Sequence, residues 1–359
     1  MKLFSRENIL RATRLTIVGK LNEATALIQR TLGGAETNPE QSQHFFTGPL
    51  IEGEAEPVHR IWPDQTVRQQ DVRLPDPENG QFHVAMFSNE AGRRPYRLYV
   101  PSGYHGQAVP LVVMLHGCTQ SPEDFATGTR MNEAAETRMF LVAYPEQTKA
   151  ANATKCWNWF NAADQRRDHG EPSLIAGITR AVMADYAVDP ARVFVAGLSA
   201  GGAAAAIMGI VYPELYAAIG VHSGVACGAA RDMVSAFATM RNGHKGIDLG
   251  GATVPPAIIF HGDQDSTVNA RNGDALVAQL TPSGRLRAER IEGQAHGGGH
   301  AYSLTRHIDP AGRVALEQWV IHGAGHAWFG GSPAGSFTDP KGPDATAEML
   351  RFFSAHPRS

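Results

Sequence analysis

The segment around Ser199 constrains the fold of this chain more than any other part of the sequence. The β-branched and aromatic run at 193–196 predicts a short strand, and the alanine-rich stretch at 200–212 predicts a helix. Between them lies Gly-Leu-Ser-Ala-Gly at 197–201, whose small residues permit a very tight turn. A G-x-S-x-G sequence between a strand and a helix is typical of a nucleophile elbow, where the positive end of the helix lies beside the serine. We therefore expect Ser199 to be a nucleophile.

The rest of the chain repeats the same strand–helix alternation from about residue 80 onward. We predict strands at 97–100, 111–115, 140–144, 193–196, 217–221, 258–260 and 315–321, and helices at 123–138, 173–186, 200–212, 270–280 and 344–356. Such alternation predicts a mostly parallel central sheet with helices on both faces. Together with the elbow, it predicts an α/β-hydrolase fold for a catalytic domain at 81–359.

The N-terminal part of the chain has a different pattern. Apolar residues fall at helical spacing through residues 1–34, which predicts a short N-terminal helical extension. Residues 35–80 are rich in Pro, Glu, Gln and Gly without a clear period, which predicts a linker or extended arm. Two interpretations of the extension stay open: a docking or homodimerisation element, or a helix packed on the catalytic domain.

A serine with an ordinary pKa needs a base, and in this fold the order along the chain is Ser, then Asp or Glu, then His. The strand at 258–260 is followed by Asp263 and Asp265, and the strand at 315–321 by His322 and His326. Either aspartate could be the acid and either histidine the base. Spacing alone does not choose within either pair.

An oxyanion hole requires two backbone N–H donors. Ala200, the residue after the nucleophile, supplies one. The strand at 111–115 leads into His116-Gly117-Cys118, a loop of the type that supplies the second donor in lipases and esterases. We therefore expect the N–H of Cys118 to be that donor, and its thiol to be structural rather than catalytic.

The chain has three cysteines, Cys118, Cys156 and Cys227, too few for a disulfide scaffold and wrongly spaced for zinc. They are compatible with one disulfide, for example between Cys118 and Cys156, and one thiol, or with three thiols. A histidine cluster, His296, His300 and His307, surrounds consecutive glycines but lacks acidic neighbours, so we interpret it as a surface loop rather than a metal site. No metal or other cofactor is expected.

The net charge of -3 provides no basic stripe for nucleic acid. Charges interrupt the first thirty or so residues, so no signal-peptide core forms, and no apolar run is long enough to cross a membrane. The sequence as written therefore predicts a cytoplasmic protein without membrane or nucleic-acid partners, unless a leader has been removed.

The motifs, taken together and in order, resemble those of the PHB depolymerase family of esterases. They are His-Gly-Cys-Thr-Gln at 116–120, Cys-Trp-Asn-Trp-Phe at 156–160, Gly-Leu-Ser-Ala-Gly-Gly at 197–202, His-Gly-Asp-Gln-Asp at 261–265 and Gly-His-Ala-Trp at 325–328. The resemblance covers about residues 90–355. Each motif alone is unspecific, but the ordered set is specific.

This resemblance implies a role for each candidate residue. It implies Asp265 as the acid and His326 as the base that serve Ser199, with the oxyanion held by backbone N–H groups. It also implies that Trp157 and Trp328 flank the acyl site, although packing in the core is an alternative interpretation of both.

Members of this family cleave poly(3-hydroxybutyrate), short esters, or feruloyl and acetyl groups on plant polysaccharide, and related hydrolases cut poly(aspartic acid). The resemblance therefore implies a serine esterase acting on hydroxyalkanoate polymers or oligomers. A feruloyl or acetyl esterase, or an amide hydrolase using the same residues, is the alternative.

Overall fold

The computed structural model describes residues 80–281 and 286–358. The helical extension predicted at 1–34 lies outside the described residues, as does nearly all of the arm predicted at 35–80. The proposed domain boundaries and the homodimer interface therefore stay predictions.

A large twisted sheet forms the centre of the described region. Its strands, with a short separate pair at the end, are β1 (Gln81–Asn89), β2 (Gly92–Val100), β3 (Val109–Leu115), β4 (Leu141–Pro145), β5 (Val188–Leu198), β6 (Ala218–His222), β7 (Ala257–Gly262), β8 (Arg287–Gln294), β9 (Ala301–Ile308), β10 (Val314–Ile321), β11 (Trp328–Phe329) and β12 (Thr338–Asp339). Within the described residues, the sheet has 10 strands in the order β1-β2-β4-β3-β5-β6-β7-β10-β9-β8. Pairing is parallel from β4 across to β10 and antiparallel at both edges.

Helices connect the parallel strands. They are α1 (Pro122–Thr129), α2 (Met131–Arg138), α3 (Gly170–Asp185), α4 (Ala200–Val211), α5 (Met233–Asn242), α6 (Arg271–Leu280) and α7 (Ala345–Ser354). Alternate residues of β3 enter two different apolar cores: Leu111 and Val113 pack with α3 and α4, whereas Val112 and Met114 pack with α1, α2 and α7. Side chains alternate across a strand, so helices cover both faces of the sheet, as predicted.

None of the helices in the described ranges is both long enough and apolar enough to cross a membrane.

The structure differs from the predicted elements in two ways. The single helix predicted at 123–138 is wrong, because Arg130 adopts a left-handed backbone with φ 57° and separates α1 from α2. The edge strands β1, β8 and β9 and helix α5 were not predicted. Strand β8 is Arg-Ala-Glu-Arg-Ile-Glu-Gly-Gln and is mostly exposed, so it lacks the apolar alternation that marks a half-buried strand.

The parallel strands position the site. Neighbouring parallel strands end at the same edge of a sheet, and β3, β5, β6, β7 and β10 all end at this edge. The predicted site residues lie just after four of these strands. They are Cys118 after β3, Ser199 after β5, Asp265 after β7 and His326 after β10.

Candidate active site

The elbow has the strained backbone that its motif requires. Ser199 lies between the end of β5 and the start of α4, with φ 58° and ψ −118°. A methyl group added at Gly197 would collide with the carbonyl of Gly201, and one at Gly201 would collide with the carbonyl of Leu115. Only glycine fits at both positions. The G-x-S-x-G pattern is therefore explained by the close approach of α4 to β3 and β5.

Backbone hydrogen bonds fix the position of Ser199. Its N–H donates to the carbonyl of His222 at the end of β6, at 2.8 Å, and its carbonyl accepts from the N–H of Ala203 at 2.9 Å. The serine itself is only partly buried. These two hydrogen bonds hold the backbone of a residue that is still partly exposed to solvent.

The structure brings Asp265 and His326 into direct contact. Nδ1 of His326 lies 2.7 Å from Oδ2 of Asp265. The other carboxylate oxygen, Oδ1, accepts from the N–H groups of Thr267 and Val268, at 2.9 and 2.8 Å. The Asp265 side chain has no solvent exposure, so a complete set of hydrogen bonds satisfies a buried carboxylate.

The charge state of Asp265 follows from these contacts. Burial by itself raises the pKa of a carboxyl group, but hydrogen bonds from His326 and the Val268 N–H outweigh it and lower the pKa of Asp265 below its ordinary value. His261 adds a further favourable contact, with Nε2 at 3.6 Å from Asp265. The carboxylate therefore stays ionised where it holds the imidazole.

The competing residues, Asp263 and His322, form a pair of their own. Nδ1 of His322 lies 3.0 Å from Oδ2 of Asp263, but its Nε2 lies 2.8 Å from the hydroxyl of Ser303 on β9. Ser303 is buried and its hydroxyl also donates to Glu292, at 2.6 Å. Both nitrogens of His322 are therefore occupied, and the serine beside it lies on an ordinary antiparallel strand rather than at an elbow.

The two aspartate–histidine pairs differ in the second ring nitrogen. Nε2 of His326 makes no hydrogen bond to any residue that the structure describes, and the same is true of the Ser199 hydroxyl. The structure thus joins Asp265 to His326 by a hydrogen bond but does not join His326 to Ser199. Catalytic hydrogen bonds are often long in a free enzyme and tighten when substrate binds.

The loop after β3 packs directly on the elbow. A methyl group added at Gly117 would lie 3.6 Å from Cβ of Ser199. The Gly117 N–H donates to Oε1 of Gln120 at 2.9 Å, and its carbonyl lies 2.7 Å from Nδ1 of His116. A peptide unit is planar and trans, so a carbonyl held by His116 turns the N–H of Cys118 the opposite way. That N–H donates to no acceptor among the described residues.

His116 is a neutral acceptor and donor in this loop. Its Nε2 accepts from the backbone N–H of Gln147 at 3.0 Å, which leaves the ring proton on Nδ1 for Gly117. Complete burial lowers the pKa of His116 to about 4, because an imidazolium would be poorly solvated there.

A disulfide joins Cys118 to Cys156, which decides between the alternatives left open by the cysteine count. The third cysteine, Cys227, is a free and buried thiol, and burial raises its pKa to about 12. The disulfide ties the loop after β3 to the Cys156–Phe160 segment. A hydrogen bond of 2.7 Å from the Thr119 N–H to the Thr154 carbonyl reinforces that connection.

Trp157 and Trp328 are both fully buried. The indole N–H of Trp157 donates to the carbonyl of His116 at 3.1 Å, and that of Trp328 donates to the hydroxyl of Thr346 at 3.0 Å. Neither ring presents surface to a substrate in this conformation. Their substrate-binding role stays a prediction, and both rings pack beneath the loops that carry the candidate residues.

His300, one of the histidines around the glycine run, lies beside the loop after β10, where a methyl group added at Gly323 would be 3.8 Å from its Nδ1. His300 pairs with Asp339, with Nε2 at 2.9 Å from Oδ2, while His307 lies on β9. Among the residues with described positions, no group of three side chains is arranged to hold a metal ion.

Sequence reasoning missed His222. This residue contacts both the elbow and the loop that carries His326, through its carbonyl and its ring respectively. Its signal was its position directly at the end of the strand next to β5, where parallel sheets place functional residues.

Comparison with known proteins identifies relatives of the chain. The sequence profile of the family described as Esterase PHB depolymerase matches residues 94–296. Poly(3-hydroxyalkanoate) depolymerase C of Paucimonas lemoignei is 34% identical over 214 residues, which are 55% of this chain and 50% of that protein. Poly(3-hydroxybutyrate) depolymerase of Ralstonia pickettii is 29% identical over 247 residues, 64% of this chain and 49% of that protein. The chain thus spans about half the length of these relatives.

Among other similar proteins, a probable acetylxylan esterase A of Neosartorya fischeri is 32% identical over 142 residues, 39% of this chain and 37% of that protein. In structure, the acetyl xylan esterase from Aspergillus awamori superposes with a TM-score of 0.59 at 20% identity, covering 77% of this chain and all of that one. At this identity the likeness concerns the fold alone, and the fold is that of the α/β-hydrolases, as predicted.

Proposed function

The chain belongs to the PHB depolymerase family of esterases, and from this premise we propose that it is a serine esterase that hydrolyses hydroxyalkanoate polymers or oligomers. One observation carries the proposal. The buried Asp265–His326 pair has 2.7 Å between Oδ2 and Nδ1. Its two residues lie in loops at the same edge of the sheet as the strained Ser199 elbow. That combination supplies the acid, base and nucleophile of acyl transfer.

The proposed reaction proceeds in two steps. His326 Nε2 takes the proton of the Ser199 hydroxyl as Oγ attacks the ester carbonyl, and Asp265 orients and stabilises the resulting imidazolium. His326 then gives that proton to the departing alcohol, which leaves an ester between the acyl group and Ser199. Water attacks this acyl-enzyme, with His326 again as base, and releases the acid and the free serine.

The negative charge of each tetrahedral intermediate needs donors that are already in place. We assign this role to the backbone N–H groups of Cys118 and Ala200. Ala200 is the first residue of α4, and the first N–H groups of a helix have no acceptor within the helix. The Cys118 N–H is free among the described residues, and the clamp from His116 on the Gly117 carbonyl supports its orientation.

The substrate class is inferred from the relatives. Those from P. lemoignei and R. pickettii are depolymerases of poly(3-hydroxyalkanoate) and poly(3-hydroxybutyrate), and their sequence similarity covers 55% and 64% of the chain, against 39% for the acetylxylan esterase of N. fischeri. A polyester or oligoester of 3-hydroxy acids is therefore the preferred substrate. The proposed chemistry uses no cofactor, since the nucleophile, base and oxyanion donors all come from the chain.

A substrate panel tests this assignment. The purified chain is assayed with p-nitrophenyl butyrate, soluble 3-hydroxybutyrate oligomers, amorphous poly(3-hydroxybutyrate), methyl ferulate, acetylated xylan and oligo-aspartate, with Ser199→Ala as blank. The proposal predicts the highest kcat/KM on the hydroxybutyrate esters. A tenfold or greater preference for acetylated xylan or ferulate would reassign the enzyme to polysaccharide side-chain esters, and one for oligo-aspartate to amide hydrolysis.

A further inference from the structure

His222 occupies the junction between the nucleophile and the base. It is the last residue of β6, it is fully buried, and it contacts both the elbow and the chain just beyond His326. We propose that His222 is a positioning residue that holds the His326 loop in register with Ser199. This inference rests on the proposed function, because it concerns the alignment of the same two reacting groups.

The backbone of His222 holds the elbow. In the parallel pairing of β5 with β6, Leu198 lies opposite His222, and the Ser199 N–H then donates to the His222 carbonyl at 2.8 Å. A methyl group added at Gly202 would lie 2.8 Å from the same carbonyl oxygen, so α4 packs closely on it. The carbonyl of His222 thus limits where the nucleophile can sit.

The ring of His222 holds the base loop. The backbone N–H of Phe329 donates to Nε2 of His222 at 3.2 Å. Phe329 lies three residues after His326, and together with Trp328 it forms the short strand β11. Because an N–H is the donor, Nε2 must be unprotonated, which leaves the ring proton on Nδ1, at 3.2 Å from the Ser223 hydroxyl. One tautomer of a neutral ring therefore serves both contacts.

Aromatic packing fixes the ring in this place. The imidazole stacks on Trp328, with ring centres 5.0 Å apart, and on Phe260 of β7, with ring centres 5.6 Å apart. Burial lowers the pKa of His222 well below its ordinary value, and His261 and His326 lower it further, which keeps the ring in its neutral, accepting form. The His222 ring thus contacts β7 and the strand β11 that follows His326, while its backbone carbonyl accepts from the elbow.

The backbone beside His222 is also unusual. Ser223 has φ 49°, and Ser199 has φ 58° at the end of the neighbouring strand. Non-glycine residues with positive φ are uncommon and concentrate at functional sites, where surrounding contacts hold them in place. The Ser223 N–H donates to the Phe260 carbonyl at 2.9 Å, which holds β6 and β7 together at this point.

Substitutions at His222 can remove the hydrogen-bond acceptor while an aromatic ring still fills the same space. They therefore separate the effect of the hydrogen bond on catalysis from the effect of packing on stability. His222→Phe retains an aromatic ring but removes the acceptor, so the Phe329 N–H is left buried and unpaired. His222→Gln places an oxygen near the former Nε2 and can restore the acceptor, whereas His222→Asn is too short to do so. We expect kcat on p-nitrophenyl butyrate to fall by roughly 30- to 100-fold in the Phe and Asn variants, with KM within about threefold, because small misplacements of catalytic groups cost rate. The Gln variant should recover most of kcat.

His356→Phe is a matched control. His356 also stacks on a phenylalanine, Phe352, at 4.1 Å between ring centres, and its nitrogens contact the carbonyls of Phe352 and Val314. It lies just after α7, away from the reacting loops. We expect this variant to lower the melting temperature without lowering kcat.

The outcomes separate the possibilities. A folded His222→Phe enzyme with the wild-type kcat would overturn the inference, and so would an equal loss of kcat in His356→Phe. If His222→Phe does not fold, the comparison of Gln with Asn decides, and equal kcat values for these two would overturn it. Ser199→Ala and His326→Ala are measured in the same series. Activity retained by Ser199→Ala would refute the proposed function. If Ser199→Ala and His326→Ala are inactive but His222→Phe has the kcat of the unaltered enzyme, only the positioning role is refuted.

Discussion

Oδ2 of Asp265 lies 2.7 Å from Nδ1 of His326, and this carboxylate is entirely buried. Nearby on the same two loops, Oδ2 of Asp263 lies 3.0 Å from Nδ1 of His322, but there both side chains are about one-third exposed. A solvent-exposed ion pair contributes little, whereas a buried carboxylate with complete hydrogen bonds strongly orients its partner. We therefore expect substitutions in the two pairs to have different effects on kcat.

Asp265→Asn should lower kcat on p-nitrophenyl butyrate by about 10³- to 10⁴-fold, because the neutral amide no longer holds the reactive tautomer of His326. Asp263→Asn is the matched change in the exposed pair and should cost less than about fivefold. Steady-state kinetics on both variants, with circular dichroism to verify folding, makes the comparison. The opposite ranking would transfer the role of the acid to Asp263.

Acid should destabilise the fold in a definite pH window. The folded-state pKa of His116 is about 4, below the ordinary value of 6.5, so between these values the unfolded chain binds a proton that the folded chain excludes. The unfolding free energy should therefore fall as the pH is lowered from about 6.5 to 4, by on the order of 3 kcal/mol from this group. His222 and His261 have lowered pKa values as well and act in the same direction.

Urea unfolding at several pH values between 4 and 7.5 measures this dependence. His116→Gln should reduce the slope, since one of the groups that drives it is removed. The lowered pKa of Asp265 acts only below its ordinary value of 3.8, where its stabilising contribution is lost, so it does not overlap this window. A pH dependence that is unchanged in His116→Gln would contradict the neutral, buried state of His116.

The Cys118–Cys156 disulfide should stabilise the fold and hold the loop after β3 in the conformation that the proposed oxyanion hole requires. It closes a loop across 38 residues, for which restriction of the unfolded chain predicts about 4 kcal/mol at most. The Cys118→Ala and Cys156→Ala double variant should lower both the melting temperature and kcat. Cys227→Ala, which removes the free thiol, should leave kcat unchanged. Titration of the denatured, unreduced protein should find one thiol; three would contradict the disulfide.

The N-terminal residues have a separate prediction. If residues 1–34 form a dimerisation element, their removal should convert a dimer into a monomer while kcat on p-nitrophenyl butyrate is unchanged. Light scattering on the full chain and on the shortened chain measures the change in mass. If the full chain and the shortened chain have the same oligomeric state, the remaining interpretation is that residues 1–34 pack on the catalytic domain.

Much of the fold could be predicted because the central strands are apolar runs separated by helical periodicity. Strand β3, for instance, is almost wholly buried and ends at the His-Gly pair. The edge strand β8 is charged and exposed, so no periodicity marks it. The left-handed position itself is Arg130, neither a glycine nor a proline, and the nearest glycine, Gly128, lies within α1, so the sequence does not mark the break.

The site divides in the same way. The elbow could be predicted because its strand, its two glycines and its alanine-rich helix are contiguous in the sequence. The choice between Asp263 and Asp265 could not be derived from spacing, because it depends on contacts between β7 and β10, which are distant in sequence but adjacent in the sheet. His222 escaped notice for the same reason: its partners, Ser199 and Phe329, come from two other segments of the chain.

The most direct test of the central claim compares Ser199, the proposed nucleophile, with Ser303, which contacts His322 of the exposed aspartate–histidine pair. Ser199→Ala should lower kcat on p-nitrophenyl butyrate by several orders of magnitude and abolish labelling by a fluorophosphonate probe, with the fold intact. Ser303→Ala removes the buried serine that contacts His322, and it should keep both activity and labelling within about threefold of the unaltered enzyme. Retention of most activity and labelling by Ser199→Ala would contradict the account.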